Sequence, residues 1–302
     1  MINNIPDFLY ERLLKQYGEK LTESILKGYS TKRYVTLRVN TLKSNTEQIK
    51  DILNSLNIKY REVIWSREAL ILEELDETEI RKLPIYENGE IYLQSLSSML
   101  PVIVLDPKPN ENILDMAAAP GGKTTQMASI SQNKALITAC EKNRIRAERL
   151  KYNIEKQGAS RVNVLIEDAR NLDSYFSFDK ILLDAPCSGS GTININNEKL
   201  EKIFTEELIN RSVKTQYELL KKAISILKSG HEMVYSTCSI LEVENEKNIE
   251  KILKNSNIEI VPIDEKLFEG ANLLPTKLKG TIIVAPNELY EGFFIAKLRK
   301  RM

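Results

Sequence analysis

Two cysteines stand where a thiol can act as a reagent. Cys187 lies in Asp184-Ala-Pro-Cys-Ser-Gly-Ser-Gly191 and Cys238 in Ser236-Thr-Cys-Ser239. Each follows a short apolar run that reads as a strand, and each sits among turn-forming polar residues. A thiol so placed is accessible, and the amides that open a following helix favour its thiolate. Two sulfurs are too few ligands for a metal site, so no metal is expected, and nucleophilic catalysis fits the pair better. Cys140, inside an apolar run, reads as a small hydrophobe. Three cysteines without a Cys-x-x-Cys pair speak against a disulfide framework or a zinc ribbon. The single histidine, His231, removes multi-histidine metal sites and leaves acid–base work mainly to Asp, Glu, Lys and Cys. Between Gly230 and Glu232 it reads as an exposed turn residue.

A second constellation is Ile113-Leu-Asp-Met-Ala-Ala-Ala-Pro-Gly-Gly-Lys-Thr-Thr125, a strand ending in an acid, a turn of small residues and a helix start. Small residues let a ligand approach the backbone, and the first amides of the helix favour negative charge. A nucleotide-like ligand is expected at such a strand end. The stretch is neither a P-loop, which requires Gly where Ala117 stands, nor a dinucleotide fingerprint, since Gly-x-Gly-x-x-Gly is missing here. Two more acids follow successive strands. Glu141 comes after Cys140, the position from which a carboxylate reaches ribose hydroxyls, and Asp168 lies in Glu167-Asp-Ala-Arg170. Taken singly, such acids are usually solvated loop residues; three in register point to a nucleoside site.

The elements that must hold these residues follow from periodicity. From about Asn112, short apolar runs alternate with helical stretches, as in a parallel sheet with crossover helices. The runs are 113–114, 135–139, 162–166, 181–183 and 233–235, with 258–263 and 293–298 completing seven strands. Amphipathic helices are expected from Lys142 to Gln157, closed by Gly158, and from Glu206 to Ser229, followed by Gly230. The preceding part reads as a small α+β module: a helix from Tyr10 to Gly28, a strand at Val35–Asn40, a helix at Thr46–Leu56, and strands at Tyr60–Trp65 and Ala69–Leu72. Trp65 is expected in the core or at the domain interface. The domains are then 1–92 and 93–302, in a doubly wound, Rossmann-like α/β architecture with a mostly parallel seven-stranded sheet.

With 302 residues, 42% hydrophobic and 28% charged, the chain has the composition of a folded protein. It has no apolar window long enough for a membrane span and no signal-like start, so a cytoplasmic location without a membrane partner is expected. The net charge of +1 says nothing of a polyanionic partner, because binding depends on where charge lies. Lys142 to Arg161 holds seven basic and two acidic residues, either phosphate contacts or a solvated helix face, and Lys297 to Arg301 is a second basic cluster.

Taken together, Asp115-Met-Ala-Ala-Ala-Pro-Gly-Gly-Lys-Thr124, Asp184-Ala-Pro-Cys-Ser-Gly189, and Ser236-Thr-Cys-Ser239 followed by Glu244-Asn-Glu246 resemble the Sun/Nop (RsmB-like) family of S-adenosylmethionine-dependent RNA cytosine-C5 methyltransferases. Leu37-Arg-Val-Asn40, Gln94-Ser-Leu-Ser-Ser98 and Gly292-Phe-Phe-Ile-Ala296 extend the likeness over nearly the whole chain. The family often has Cys where Ala117 stands. The resemblance implies a class I methyltransferase domain in which Cys238 attacks carbon 6 of cytosine and Cys187 helps resolve the adduct. It further implies that Asp184 hydrogen-bonds the base and that Lys123 orients the cluster. S-adenosyl-L-methionine would be held by Ala117, Ala118, Ala119, Pro120, Gly121, Gly122, Lys123, Glu141, Arg146, Asp168 and Asp184. The implied partner is RNA, ribosomal first and transfer RNA second, bound by a monomer. With about ninety residues before the catalytic domain, the additional RNA-binding domains of some relatives are expected to be absent. The alternatives are a DNA cytosine methyltransferase, whose nucleophile is the Pro-Cys cysteine, and a non-catalytic ribosome-assembly factor.

Overall fold

The computed structural model describes residues 5–197 and 199–302. Helix α1 (Asp7–Ser30) leads into a small antiparallel sheet of β1 (Val35–Val39), β2 (Tyr60–Val63), β3 (Ser66–Leu72) and β4 (Ile91–Leu93), in the order β2-β3-β1-β4. Helix α2 (Thr46–Ser55) begins where the Asn45 side chain accepts the Gln48 amide, and it sets Ile49 and Leu53 on Leu37, Val39, Leu70 and Leu72. Two single-turn helices, α3 (Glu77–Ile80) and α4 (Pro84–Glu87), bring Ile80 and Ile85 to the same core. The small sheet runs to Leu93, since β4 pairs with β1.

Helix α1 belongs to a different core. Its Leu9, Leu13, Ile25 and Tyr29 pack with Ile181, Leu183 and Tyr235 of the large sheet. That sheet is built from β5 (Asn112–Asp115), β6 (Leu136–Cys140), β7 (Val162–Leu165), β8 (Phe178–Asp184), β9 (Leu227–Thr237), β10 (Ile258–Val261), β11 (Leu273–Leu274), β12 (Ile282–Val284) and β13 (Phe293–Lys300). The order β7-β6-β5-β8-β9 is parallel throughout, and β13 then joins β9 antiparallel. All seven expected strands are present. The sheet nevertheless has nine, because the short β11 and β12 extend it beyond β13, on which β10 also pairs.

Both faces of the parallel strands are covered, which explains their near-continuous apolar runs. One face carries α5 (Leu96–Leu105), α6 (Gly122–Ile130) and α7 (Arg144–Gln157), through Leu100, Met127 and Leu150. The other carries α1, α9 (Glu206–Ile226) and α10 (Glu246–Asn255), with the single turn α8 (Leu200–Ile203) leading into α9.

Three expectations change. Helix α9 stops at Ile226 rather than Ser229, because Leu227 already pairs with Phe178 and the extra residues before Glu232 form a bulge at Gly230, whose φ of 78° is open to glycine. His231 therefore sits inside β9, its Nδ1 3.1 Å from the Asp179 carbonyl. The basic cluster at 297–301 is engaged within the fold: Lys297 and Arg299 pair with Glu232, Arg301 pairs with Glu259, and Lys300 Nζ donates to carbonyls at the end of α9.

Candidate active site

Every residue singled out for chemistry lies at the carboxyl ends of the parallel strands, where a doubly wound sheet opens its crevice. The loops after β8 and β9 bring the two thiols together, with Cys187 Sγ 3.0 Å from Cys238 Sγ. That hydrogen bond, and then burial, push the Cys187 thiol well above its ordinary pKa.

The loops are held in this register by Glu244, a fully buried carboxylate. Its Oε1 accepts the Ser188 amide at 2.8 Å and Gln216 Nε2 at 3.1 Å; its Oε2 accepts the hydroxyls of Ser188 and Ser239, each at 2.6 Å. Ser188 follows one cysteine and Ser239 the other, so a single side chain spaces both sulfurs. Behind them, α1 braces the same loops, with Tyr29 Oη donating to the Ser190 carbonyl and Tyr17 Oη to that of Ile240. Gly191 donates its amide to the Cys238 carbonyl at 2.9 Å and packs so closely on Gly292 that a Cβ at 191 would lie 1.9 Å from the Gly292 carbonyl oxygen.

Asp184, the last residue of β8, takes the Ser236 hydroxyl on Oδ1 at 2.8 Å and the Lys123 ammonium on Oδ2 at 2.8 Å. Lys123 also donates to Ser98 Oγ at 2.6 Å and lies 5.5 Å from the centroid of the Phe293 ring. Cation and carboxylate are thus fixed from four elements, β8, β9, α6 and α5. Asp115 is fully buried beside them. Its Oδ2 accepts Thr124 Oγ1 at 2.7 Å, its Oδ1 has no partner among the described residues, and burial lifts its carboxyl to about 6.

Two hollows meet at Ala117. The larger, about 580 Å³, is lined by Cys238, Asp184, Lys123, Asp115, Ala118, Ala119, Pro120 and Gly122, and it opens between the small sheet and α7. The smaller, about 70 Å³, is lined by Glu141, Arg146 and Asp168 together with Met116 and Pro186. Glu141 is buried, caps the Asn143 amide through Oε1 at 2.8 Å and meets Arg146 at 3.3 Å through Oε2. Arg146 bridges onward to the Ala119 carbonyl at 2.8 Å. Asp168 is held by Arg170 at 2.7 Å, and that hydrogen-bonded pairing keeps its carboxyl below the ordinary range. The residues nominated together as one cofactor set therefore divide between two sides of one turn. Gly121 lines neither side; it caps α6.

Cys140 is buried, and burial raises its thiol to about 12, as befits a packing residue. Trp65 stands at the domain interface, donating to Tyr290 Oη at 2.9 Å. Sequence reading passed over Glu244, Ser98 and Arg38 as site residues and used Asp115 only as the first of three strand-end acids. Arg38, buried in β1, donates to Gln94 Oε1 and Thr125 Oγ1, each at 3.0 Å, and so joins the small sheet to α6. All four lie in segments already conspicuous, but their partners are up to 87 positions away.

Comparison with known proteins gives this arrangement a family. The model described as 16S rRNA methyltransferase RsmB/F matches residues 102–299, and an RsmF/B-like ferredoxin-like domain matches residues 5–77. The chain belongs to the RsmB/F methyltransferase family. Members similar to it are named as RNA cytosine-C5 methyltransferases. The tRNA (cytosine(49)-C(5))-methyltransferase of Pyrococcus abyssi is 33% identical over 96% of this chain and 99% of its own. The ribosomal RNA small subunit methyltransferase F of Shewanella loihica is 36% identical over 88% of this chain, which spans 56% of that relative. The mouse 28S rRNA (cytosine-C(5))-methyltransferase is 33% identical, and this chain spans 38% of it. Among solved structures, NSun6 from Pyrococcus horikoshii with SFG superposes with a TM-score of 0.88 at 25% identity, each chain fully covered. A methyltransferase homologue from the same organism gives 0.81 at 31% identity, covering 98% of this chain and 100% of that one. No helix among the described residues of this RsmB/F-family protein is long and apolar enough to cross a membrane.

Proposed function

We propose that this protein methylates carbon 5 of a cytosine in RNA through a covalent bond from Cys238 to carbon 6. The observation that carries this reading is the thiol pair. Cys238 lines the large cleft beside Asp184 and Lys123, while Cys187 touches its sulfur from behind and lines neither hollow. Addition of Cys238 to carbon 6 makes carbon 5 nucleophilic. Asp184, locked by Ser236 and Lys123, faces the cleft as an acceptor for the exocyclic amine, and Lys123 balances the charge that develops on the ring. Cys187 serves the release that follows, by promoting loss of the C5 proton and β-elimination: that proton passes to water in the open cleft, its bonding pair closes the C5=C6 double bond, and Cys238 leaves carbon 6 as a thiolate stabilised by a hydrogen bond from the Cys187 S–H.

S-adenosylmethionine supplies the electrophilic methyl group, and the two hollows that meet at Ala117 suit it together, the smaller taking the ribose. A buried carboxylate after β6, a second acid after β7 and a turn of alanines give acceptors for ribose hydroxyls and room at the backbone. SFG, present in the structure of a relative, is an analogue of that cofactor. The two domains expected at 1–92 and 93–302 complete the proposal, the first engaging RNA as a monomer's own accessory module, in the cytoplasm. Ribosomal RNA is the first target class, after the family model. Transfer RNA is the second reading, favoured by a tRNA-modifying relative whose whole length this chain spans.

Denaturing gels of each cysteine variant incubated with RNA and S-adenosylmethionine test the mechanism. Cys238→Ala abolishes methylation and any adduct, whereas Cys187→Ala accumulates a methylated covalent complex. An RNA-shifted band from Cys238→Ala but none from Cys187→Ala reverses the roles. Bisulfite sequencing of RNA from cells with and without the gene identifies the cytosine.

A further inference from the structure

The large cleft does not end at the reactive thiol. It continues between α7 and the single-turn helices of the small domain, where Arg149, Lys156, Arg81 and Tyr86 line it together with Cys238 and Asp184. Arg149, Tyr152 and Lys156 recur at helical spacing and so form one stripe along α7. Tyr152 is 62% exposed, and its hydroxyl has no hydrogen bond among the described residues.

The cations on this stripe lack counter-ions. Among the described residues neither Arg149 nor Lys156 has a carboxylate within ion-pair distance, whereas Lys142, Arg146 and Lys151 of the same segment each have one. Lys156 Nζ instead lies 3.8 Å from the centroid of the Tyr86 ring and 5.8 Å from that of Tyr152, and the Arg81 guanidinium lies 5.2 Å from the Tyr86 centroid. Tyr86 thus holds two cations side by side. Arg81 keeps Glu77 at 2.8 Å. Burial lowers the pKa of the Lys156 ammonium, Glu87 opposing that shift and Arg81 and Lys43 adding to it.

We infer that this stripe is a binding site for the nucleotides flanking the target cytosine, with Arg149, Lys156 and Arg81 seating phosphates and the Tyr152 ring stacking one base. The inference rests on the proposed RNA substrate and assigns the direction in which its strand leaves the thiol. A single strand suits the site, because stacking on an exposed ring requires an unpaired base, and the target base must itself leave its stack. The second basic cluster, at 297–301, is excluded by its pairing with Glu232 and Glu259.

Fluorescence anisotropy with a short labelled single-stranded oligocytidine RNA, over a range of salt, tests the site. The double variant Arg149→Gln, Lys156→Gln lowers the slope of log affinity against log salt by about 1.4, since each phosphate contact with a single strand contributes about 0.7. Tyr152→Ala weakens binding by about tenfold without changing the slope, and Tyr152→Phe binds as wild type, because only the ring is used. Calorimetric titration with S-adenosylmethionine shows that each variant keeps its fold. Wild-type affinity and slope in both the double variant and Tyr152→Ala would overturn the inference, as would equal losses in Tyr152→Phe and Tyr152→Ala. If those variants bind normally while the wild type methylates total RNA, the stripe is wrong and the proposed function stands. A wild type that neither binds the oligonucleotide nor methylates total RNA sinks both.

Discussion

Replacing Glu244 separates what spaces the thiols from what reacts. In Glu244→Ala the Ser239 hydroxyl keeps Ser190 at 2.8 Å and Gln216 Nε2 keeps the Pro186 carbonyl at 3.0 Å. The Ser188 amide and hydroxyl lose the partners recorded at 2.8 and 2.6 Å. Hydrogen bonds to a charged acceptor contribute about 1.5–3 kcal/mol each, so two without replacement cost about 3–6 kcal/mol. Glu244→Gln is milder. Its amide oxygen takes the Ser188 and Gln216 donors, while its NH2 faces two hydroxyls that turn to accept, for a loss of about 1–2 kcal/mol. Urea unfolding gives both values, as a shift in midpoint at constant slope. The second measurement is the rate at which a thiol reagent modifies Cys187 and Cys238. Once the two loops move independently, Cys187 loses its partner at 3.0 Å and reacts faster in Glu244→Ala, with Glu244→Gln in between. An alanine variant within about 0.5 kcal/mol of wild type, the range of inconsequential surface changes, with unchanged thiol reactivity, would refute the reasoning.

Glu141→Ala weakens S-adenosylmethionine binding by about 1–2 kcal/mol in calorimetric titration, the scale of lost charge-assisted hydrogen bonds; unchanged affinity in the folded variant removes Glu141 from the cofactor side. Asp115 has a folded-state value of about 6 against about 3.9 in an unfolded chain, so its contribution to stability is present below about pH 4 and lost as pH rises through about 6. Asp115→Asn removes that loss, and thermal scans show the variant gaining on wild type by up to about 2 kcal/mol between pH 4 and pH 7; parallel curves mean that the carboxyl titrates normally. Gly191→Ala forces a Cβ against the Gly292 backbone and either prevents folding or parts the loops, visible in circular dichroism and in thiol reactivity. A stable variant with wild-type reactivity shows that the β9–β13 side yields.

The strand ends, their acids and both thiol loops were legible in the residues, because each depends on neighbours within one element and its turn. Alternation and helical spacing place Asp115, Glu141, Asp168 and Asp184 after successive strands, and the sheet sets those strands side by side in the order β7-β6-β5-β8. Local signals failed where two rules met at one place. Gly230 looks like a helix terminator, yet pairing of Leu227 with Phe178 draws the chain into β9 earlier and leaves the glycine in a bulge.

What the sequence alone determined is the inventory of reactive groups and the end of the sheet where they cluster. Only the tertiary structure decided which groups meet. Ser188 and Glu244 are 56 positions apart, Tyr17 and Ile240 223 apart, and nothing in either segment announces the other. The same holds for charge: the basic residues at 297–301 and those of α7 look alike as strings, but β10 and β9 carry Glu259 and Glu232 to the first group and no strand carries acids to Arg149 or Lys156. Electrostatic character falls off over a few ångströms of space, so it belongs to the neighbours the fold supplies rather than to residues adjacent in the chain.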